Sequence, residues 1–206
     1  MRTFVNTLRL VAVVLVVAAI IAQFLRSIAS PTFNPFNFFG YFTIQSNVFI
    51  AVALAVTLVA AAKRQREGVA ASVFRGASTV YIATTGIVYN TLLVHASLDQ
   101  SFTVQWSNDV LHRVIPVYAV LDWLLFSDRA RLLLRHVWLF LIYPAVWLVV
   151  VLVRGATDGW VPYPFLDPGQ GYGYGVVALY SLGVAVFIGL MGILVVGMSR
   201  LRLVRV

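Results

Sequence analysis

One threonine and two histidines stand out in this chain because they lie in apolar stretches and could together cleave an ester. Thr43 follows a Tyr-Phe pair, and His95 and His112 lie further along the chain. A threonine hydroxyl is a weak nucleophile until a nearby base takes its proton, and neutral imidazole suits that task. A Thr–His pair could attack an ester carbonyl, form an acyl intermediate and then activate water.

This chemistry also needs hydrogen-bond donors for the negative charge that develops on the carbonyl oxygen. Arg26 and Arg113 could instead hold the carboxylate of a fatty acid, although such arginines commonly extend to lipid headgroups. Either Asn108 or Asp109 could orient the His112 ring. The candidates for binding substrate or the oxyanion are Gln45, Asn47, His95, Asn108, Asp109 and Arg113.

The composition of the chain shows which kind of protein must position these residues. Its 206 residues are 61% hydrophobic and 11% charged, with a mean hydropathy of +0.93. Soluble domains are about 45–50% apolar and about 25% charged. This excludes a cytosolic enzyme, a disordered chain and a nucleic-acid-binding domain, and it predicts an integral membrane protein. Cysteine is absent, which excludes disulfides and thiolate chemistry.

Six apolar stretches predict an all-α, polytopic membrane protein with six transmembrane helices in one domain, residues 1–206. A spanning helix needs about 20 residues, and each stretch is close to that length. A signal peptide cleaved near Ala29 is the alternative interpretation of the first stretch, but the apolar run is long for one. The expected helices are about 5–26, 41–62, 75–97, 108–126, 136–153 and 174–198.

The distribution of positive charge predicts the orientation of these helices. Twelve of the fifteen basic residues fall in residues 63–75, residues 127–136 and the two terminal segments. The positive-inside rule therefore places both termini in the cytoplasm. The outer loops, about 27–40, 98–107 and 154–173, are rich in aromatic residues, Pro and Gly. Such loops either sit at the bilayer interface or form a lid over a site near the outer surface.

The predicted spans place Thr43, His95 and His112 at a similar depth beneath the outer loops. Each lies within about one turn of the outer end of its helix, so the three side chains can meet. Asp122 lies about 15 Å beyond His112 along the same helix, at 1.5 Å per residue, and therefore cannot touch it. We expect Asp122 to pair with an arginine, or to hydrogen-bond a Trp or Tyr.

Three segments of the sequence resemble a known family of membrane proteins. They are residues 41–47 (YFTIQSN), residues 106–112 (WSNDVLH) with Pro116 and Asp122 downstream, and residues 160–167 (WVPYPFLD). These segments are similar to the aromatic-x-Thr, W-x-N-x-x-x-H and W-V-x-Y-P-F-L-acid motifs of the androgen-induced and androgen-dependent six-helix membrane proteins and their bacterial relatives.

The resemblance implies a threonine hydrolase that cleaves fatty acid esters of hydroxy fatty acids. It implies that Thr43 is the nucleophile and His112 the catalytic histidine. We accordingly expect a lipid or fatty acyl ester substrate, no cofactor or metal, and no nucleic-acid partner. The expected location is the plasma membrane, with the site near its extracytoplasmic side.

Other functions fit the same residues. A non-catalytic lipid-binding protein would use the polar side chains only to orient a head group. A transporter would do the same, but the sequence shows no repeat or broken helix of the kind that transporters contain. His95 and His112 could also ligate a haem or, together with Asp99 or Asp109, a zinc ion.

Overall fold

The computed structural model describes residues 1–94, 103–170, 173–201 and 203–204, and these fold into helices joined by loops. This confirms the all-α prediction for the described part of the chain. The helices are α1 (Arg2–Ser27), α2 (Pro35–Gly40), α3 (Phe42–Ala62), α4 (Val69–Val88), α5 (Gln105–Asp109), α6 (Ile115–Leu125), α7 (Val137–Thr157) and α8 (Gly173–Met198).

Four helical segments among the described residues are long and apolar enough to cross a membrane. They are α1, α3, α8 and residues 134–157, in which α7 follows a short 3-10 turn. These segments indicate a membrane protein. The described parts of the third and fourth predicted spans are also helical, but they are not among these four because they carry more polar and charged side chains.

The helix α4 occupies the centre of the bundle, where it packs against α3, α6 and α8. Every residue from 75 to 86 is buried. Its polar side chains are accommodated because Thr79 and Thr84 donate hydrogen bonds to backbone carbonyls one turn earlier, at 2.9 and 2.8 Å. Gly86 allows α6 to approach closely, since a Cβ at this position would lie 2.7 Å from the Cβ of Pro116.

Several predicted helix boundaries differ from the structure. The third helix begins at Val69 rather than at about 75, so Arg75 lies inside α4 and not in a loop. The fourth begins at Gln105 rather than at about 108, and the fifth extends to Thr157 rather than to about 153. The short helix α2 was not expected; the side chain of Asn34 caps it by accepting from the backbone N–H of Phe36 at 2.9 Å.

A buried cluster of charges joins α1, α4 and α6 at the end of the bundle that lies away from Thr43. Arg9 Nε donates to Asp122 at 2.8 Å, and Arg75 binds the other oxygen of the same carboxylate. Arg75 also binds Glu67 at 2.8 Å and Asp128 at 3.1 Å, and Arg9 pairs with Asp128 as well. The expectation that Asp122 pairs with an arginine is confirmed. Arg9 and Arg75, which the sequence analysis counted among the basic residues of the cytoplasmic segments, are buried.

Two π-helical turns interrupt the regular helices near the opposite end. Residues Tyr89–Leu93 extend α4, and residues Val110–Val114 connect α5 to α6. The flanking residues keep helical backbone angles, so α5 and α6 continue one another. π turns frequently occur at functional sites.

We predict that Asp122→Asn strongly destabilises the protein, because it removes the most buried carboxylate of the cluster and leaves Arg9 and Arg75 with only Asp128 and Glu67 as counter-charges. Removing one partner of a buried pair costs about 3–5 kcal/mol. Chemical or thermal unfolding in detergent measures this loss. The control is Asp158→Asn, which removes a carboxylate from the exposed pair with Arg154 and should leave stability nearly unchanged. Equal effects of the two substitutions would contradict the prediction.

We also predict that Asp128 makes the stability depend on pH in the acid range. Burial raises the pKa of Asp128, but the charges of Arg75 and Arg9 outweigh burial and lower it from 3.8 to about 2. A carboxylate with a depressed pKa stabilises the fold above its unfolded pKa, and this contribution is lost between about pH 4 and about pH 2. Thermal unfolding of wild type should therefore lose more stability over this interval than Asp128→Asn. Parallel pH curves would contradict the prediction.

Candidate active site

The structure brings Thr43 and His112 together. Thr43 Oγ1, in the first turn of α3, lies 3.2 Å from His112 Nε2 in the π turn before α6. The other ring nitrogen, Nδ1, lies 2.9 Å from the backbone carbonyl oxygen of Asn108. Because a carbonyl oxygen only accepts hydrogen bonds, Nδ1 of the neutral ring carries the proton and Nε2 is the acceptor. The ring is therefore held in the tautomer that a general base for Thr43 requires.

A second contact fixes the plane of the imidazole. The Tyr89 ring stacks on His112 with 3.9 Å between centroids and 27° between planes. The side chain of Asn108 donates to the Tyr89 hydroxyl at 2.5 Å. Both rings belong to π turns. The role expected of Asn108 or Asp109, to orient His112, thus falls to the backbone of Asn108, and its side chain holds the stacking partner.

Asn47 connects the two segments that carry Thr43 and His112. Its fully buried Nδ2 donates to the carbonyl oxygens of Thr43 at 2.9 Å and Leu111 at 3.1 Å. Since its amide hydrogens are used in these contacts, Asn47 serves to hold the site together. Gln45 points away from Thr43: it donates to the carbonyl oxygen of Phe39 at 2.8 Å and accepts from Tyr143.

Asp109 and Arg113 form a partly exposed pair beside the site. Arg113 binds the Asp109 carboxylate and also donates to Asn90 Oδ1 at 3.1 Å. Asn90 in turn donates to the backbone carbonyl oxygen of His112 at 3.2 Å. Arg113 therefore lies where it can meet a lipid headgroup or a carboxylate, but it does not touch the Thr43 hydroxyl. His95 and Asp99 lie outside the described residues, among which no group of three side chains could hold a metal ion.

An apolar cavity opens beside Thr43. Its volume is about 250 Å³, and its walls come from α3, α4, α7, α8 and residues 163–166. Two of the polar side chains that line it, Thr84 and Thr85, already have partners: Val80 O at 2.8 Å and Ser46 Oγ at 2.9 Å. The cavity could therefore hold an apolar chain, and Thr43 is one of the residues that line it.

Sequence reasoning did not single out Tyr163. This buried residue lies in the segment that follows α7, and it lines the same cavity as Thr43. Burial raises the pKa of Tyr163 to about 12, so the phenol keeps its proton at neutral pH. A signal was present, since Tyr163 lies in the WVPYPFLD segment of an outer loop that the sequence marked as a possible lid.

Comparisons with protein-family models, with curated proteins and with solved structures found no match for this chain. The resemblance drawn from the three motifs stays a prediction, and the geometry of Thr43 and His112 carries the functional argument.

We predict that His112 and His136 are found in opposite neutral tautomers. The Nδ1 atom of His136 accepts from the backbone N–H of Leu133 at 3.1 Å, so its proton belongs on Nε2, whereas His112 carries its proton on Nδ1. Nitrogen-15 NMR of histidine-labelled protein, well above the ordinary histidine pKa of about 6.5, distinguishes the two. Spectra of His112→Gln and His136→Gln assign the signals. An Nε2–H form of His112 would contradict its assignment as the base.

Proposed function

We propose that this protein is a membrane-embedded ester hydrolase with Thr43 as nucleophile and His112 as general base. The observation that carries the proposal is the 3.2 Å contact between Thr43 Oγ1 and an imidazole nitrogen, together with the Asn108 carbonyl that makes this nitrogen the acceptor. A hydroxyl, a base and a group that orients the base are the parts that nucleophilic catalysis requires.

The reaction proceeds in two halves. His112 Nε2 takes the Thr43 proton as Oγ1 attacks the ester carbonyl, and the resulting imidazolium gives that proton to the departing alcohol. Water then attacks the acyl-Thr43 ester with His112 again as base, which releases the carboxylic acid and restores the hydroxyl. The Asn108 carbonyl stabilises the imidazolium because it accepts from Nδ1–H throughout.

The proposed substrate is a fatty acyl ester, and the motif resemblance narrows it to fatty acid esters of hydroxy fatty acids. The apolar cavity beside Thr43 suits the acyl chain. The exposed Arg113 suits a carboxylate or headgroup at the membrane surface.

The proposed topology has six transmembrane helices with both termini in the cytoplasm. The proposed location is the plasma membrane. Residues 75–86 of the third span are buried, and Asp122 of the fourth is buried and paired with Arg9 and Arg75, so these polar side chains need not face lipid. Arg2 donates to the carbonyl oxygen of Ala61 at 2.8 Å, which puts the N-terminus beside the basic residues 63–66. Thr43 lies at the opposite end of α3, and the positive-inside rule then places the site on the extracytoplasmic side.

The cavity also supports a second candidate function, that of a non-catalytic lipid-binding protein. Its satisfied threonines and apolar walls would retain a lipid without any chemistry. The same purified protein separates the two functions, because a binding protein retains lipid through purification and does not turn it over.

We predict that Thr43→Ala abolishes hydrolysis and that His112→Ala lowers it by about a hundredfold or more, since a general base contributes about 10²–10⁴. The assay uses protein in nanodiscs with a p-nitrophenyl acyl ester and a fatty acid ester of a hydroxy fatty acid. Thr84→Ala is the matched control: it removes a hydroxyl from the same cavity that bonds only to its own helix.

Thermal unfolding of each variant tests whether a variant that has lost activity is still folded. Activity that survives in Thr43→Ala, or a wild type that hydrolyses neither ester, would overturn the hydrolase proposal. Mass spectrometry of a co-purified lipid would then support the binding function.

A further inference from the structure

The helical segment that carries His112 lacks one of its backbone donors. The N–H of Ile115 donates to the carbonyl oxygen of Val110, five residues earlier. The next residue, Pro116, has no N–H to donate. The carbonyls four and five residues before it, those of His112 and Leu111, are the ones that such an N–H would serve in an α or a π turn. Because a carbonyl away from water is costly to leave unpaired, both need donors from elsewhere.

Two asparagines from neighbouring helical segments supply these donors. Nδ2 of Asn47, on α3, donates to the carbonyl oxygen of Leu111 at 3.1 Å. Nδ2 of Asn90, in the π turn that extends α4, donates to the carbonyl oxygen of His112 at 3.2 Å. Gly86 allows this approach, since a Cβ there would lie 3.3 Å from the His112 carbonyl oxygen. The backbone at His112 is thus held from two sides.

The amide of Asn90 is itself fixed by two further contacts. Its Nδ2 also donates to the carbonyl oxygen of Gly86 at 2.7 Å, and its Oδ1 accepts from Nε of Arg113 at 3.1 Å. Asn90 is not among the residues that line the cavity beside Thr43. Its contact with the site therefore runs through the backbone of His112.

We propose that Asn90 is a positioning residue, which keeps His112 Nε2 against the Thr43 hydroxyl by holding the His112 backbone. This inference rests on the proposed function and extends it to a residue outside the cavity. The two partners of the 3.2 Å contact lie in different helical segments, so a shift of the His112 backbone changes their separation directly. A displacement of about 1 Å can lower a rate by about a hundredfold.

The first test compares Asn90→Asp with wild type in hydrolysis of the p-nitrophenyl ester. Aspartate keeps the size of the side chain and an oxygen for Arg113, but a carboxylate cannot donate to the His112 carbonyl. We expect kcat to fall by about tenfold to a hundredfold and KM to stay nearly constant. The matched control is Thr91→Ala, which removes a hydroxyl of the same π turn that donates to the carbonyl oxygen of Ile87 at 2.7 Å. It should keep the wild-type kcat. An unchanged kcat in Asn90→Asp would overturn the role of Asn90.

A double-mutant cycle separates positioning of the base from a general loss of structure. It repeats the Asn90 substitution in His112→Ala, with imidazole added to the buffer as the base. If Asn90 acts through His112, Asn90→Asp lowers kcat in the wild-type background and has no effect in His112→Ala. Effects that do not depend on His112 would add, so equal losses in the two backgrounds would overturn the proposal.

Nitrogen-15 NMR gives a measurement that does not depend on turnover. The His112 Nε2 signal in Thr43→Ala shows the position of that signal without the threonine hydroxyl. Asn90→Asp should move the wild-type signal toward this position, and Thr91→Ala should leave it in place. An unchanged signal in Asn90→Asp, beside an active wild type, would overturn the role of Asn90 alone. A wild type that does not hydrolyse the ester overturns the hydrolase proposal and the positioning role with it.

Thermal unfolding shows which of these variants are folded. Asn90→Ala replaces Asn90→Asp in all three measurements if the latter does not fold, because it removes the same donor without placing a charge beside the carbonyls. The expected results and those that would overturn the proposal are the same for both variants.

Discussion

The bundle depends on one constraint: a charge buried among apolar helices must meet an opposite charge there. Arg9 of α1 and Arg75 of α4 both bind the single carboxylate of Asp122 on α6. This shared contact joins the three helices at one end and fixes their positions along the bundle axis relative to one another. The axial position of His112, which lies just before α6, follows from that alignment.

The two ends of the molecule treat polar groups differently. At the charged end, Asp122 holds two arginines and its role is structural. Near Thr43 the backbone performs much of the positioning: the Asn108 carbonyl orients His112, and the carbonyls of Thr43 and Leu111 hold Asn47. Side chains that donate to backbone in this way leave the Thr43 hydroxyl and His112 Nε2 paired with each other, in a place that a substrate can reach from the apolar cavity.

The sequence was most informative where residue type and depth agreed. Long apolar runs located α1, α3 and α8 to within a few residues. Thr43 and His112 could be paired because both lie near the predicted outer ends of their helices. It failed for α4, because the buried Arg75 made the beginning of that helix resemble a loop. The sequence could not assign a role to Asn47 or Gln45, because residue type does not distinguish an amide that bonds to the backbone from one that binds substrate. Tyr163 was obscured because aromatic residues are common at membrane interfaces.

The contact between Thr43 and His112 depends on the number of residues in the π turn that holds His112. A π turn holds one residue more than an α turn, and each residue advances a helix by about 100°. Deleting one residue from 110–114 would restore a regular helix. The residues before the deletion, including α5, would then be rotated relative to α6. His112 would then leave either Thr43 or the carbonyl of Asn108, although every apolar contact of α6 could survive. A single deletion could thus separate His112 from Thr43 while α6 keeps its place in the bundle.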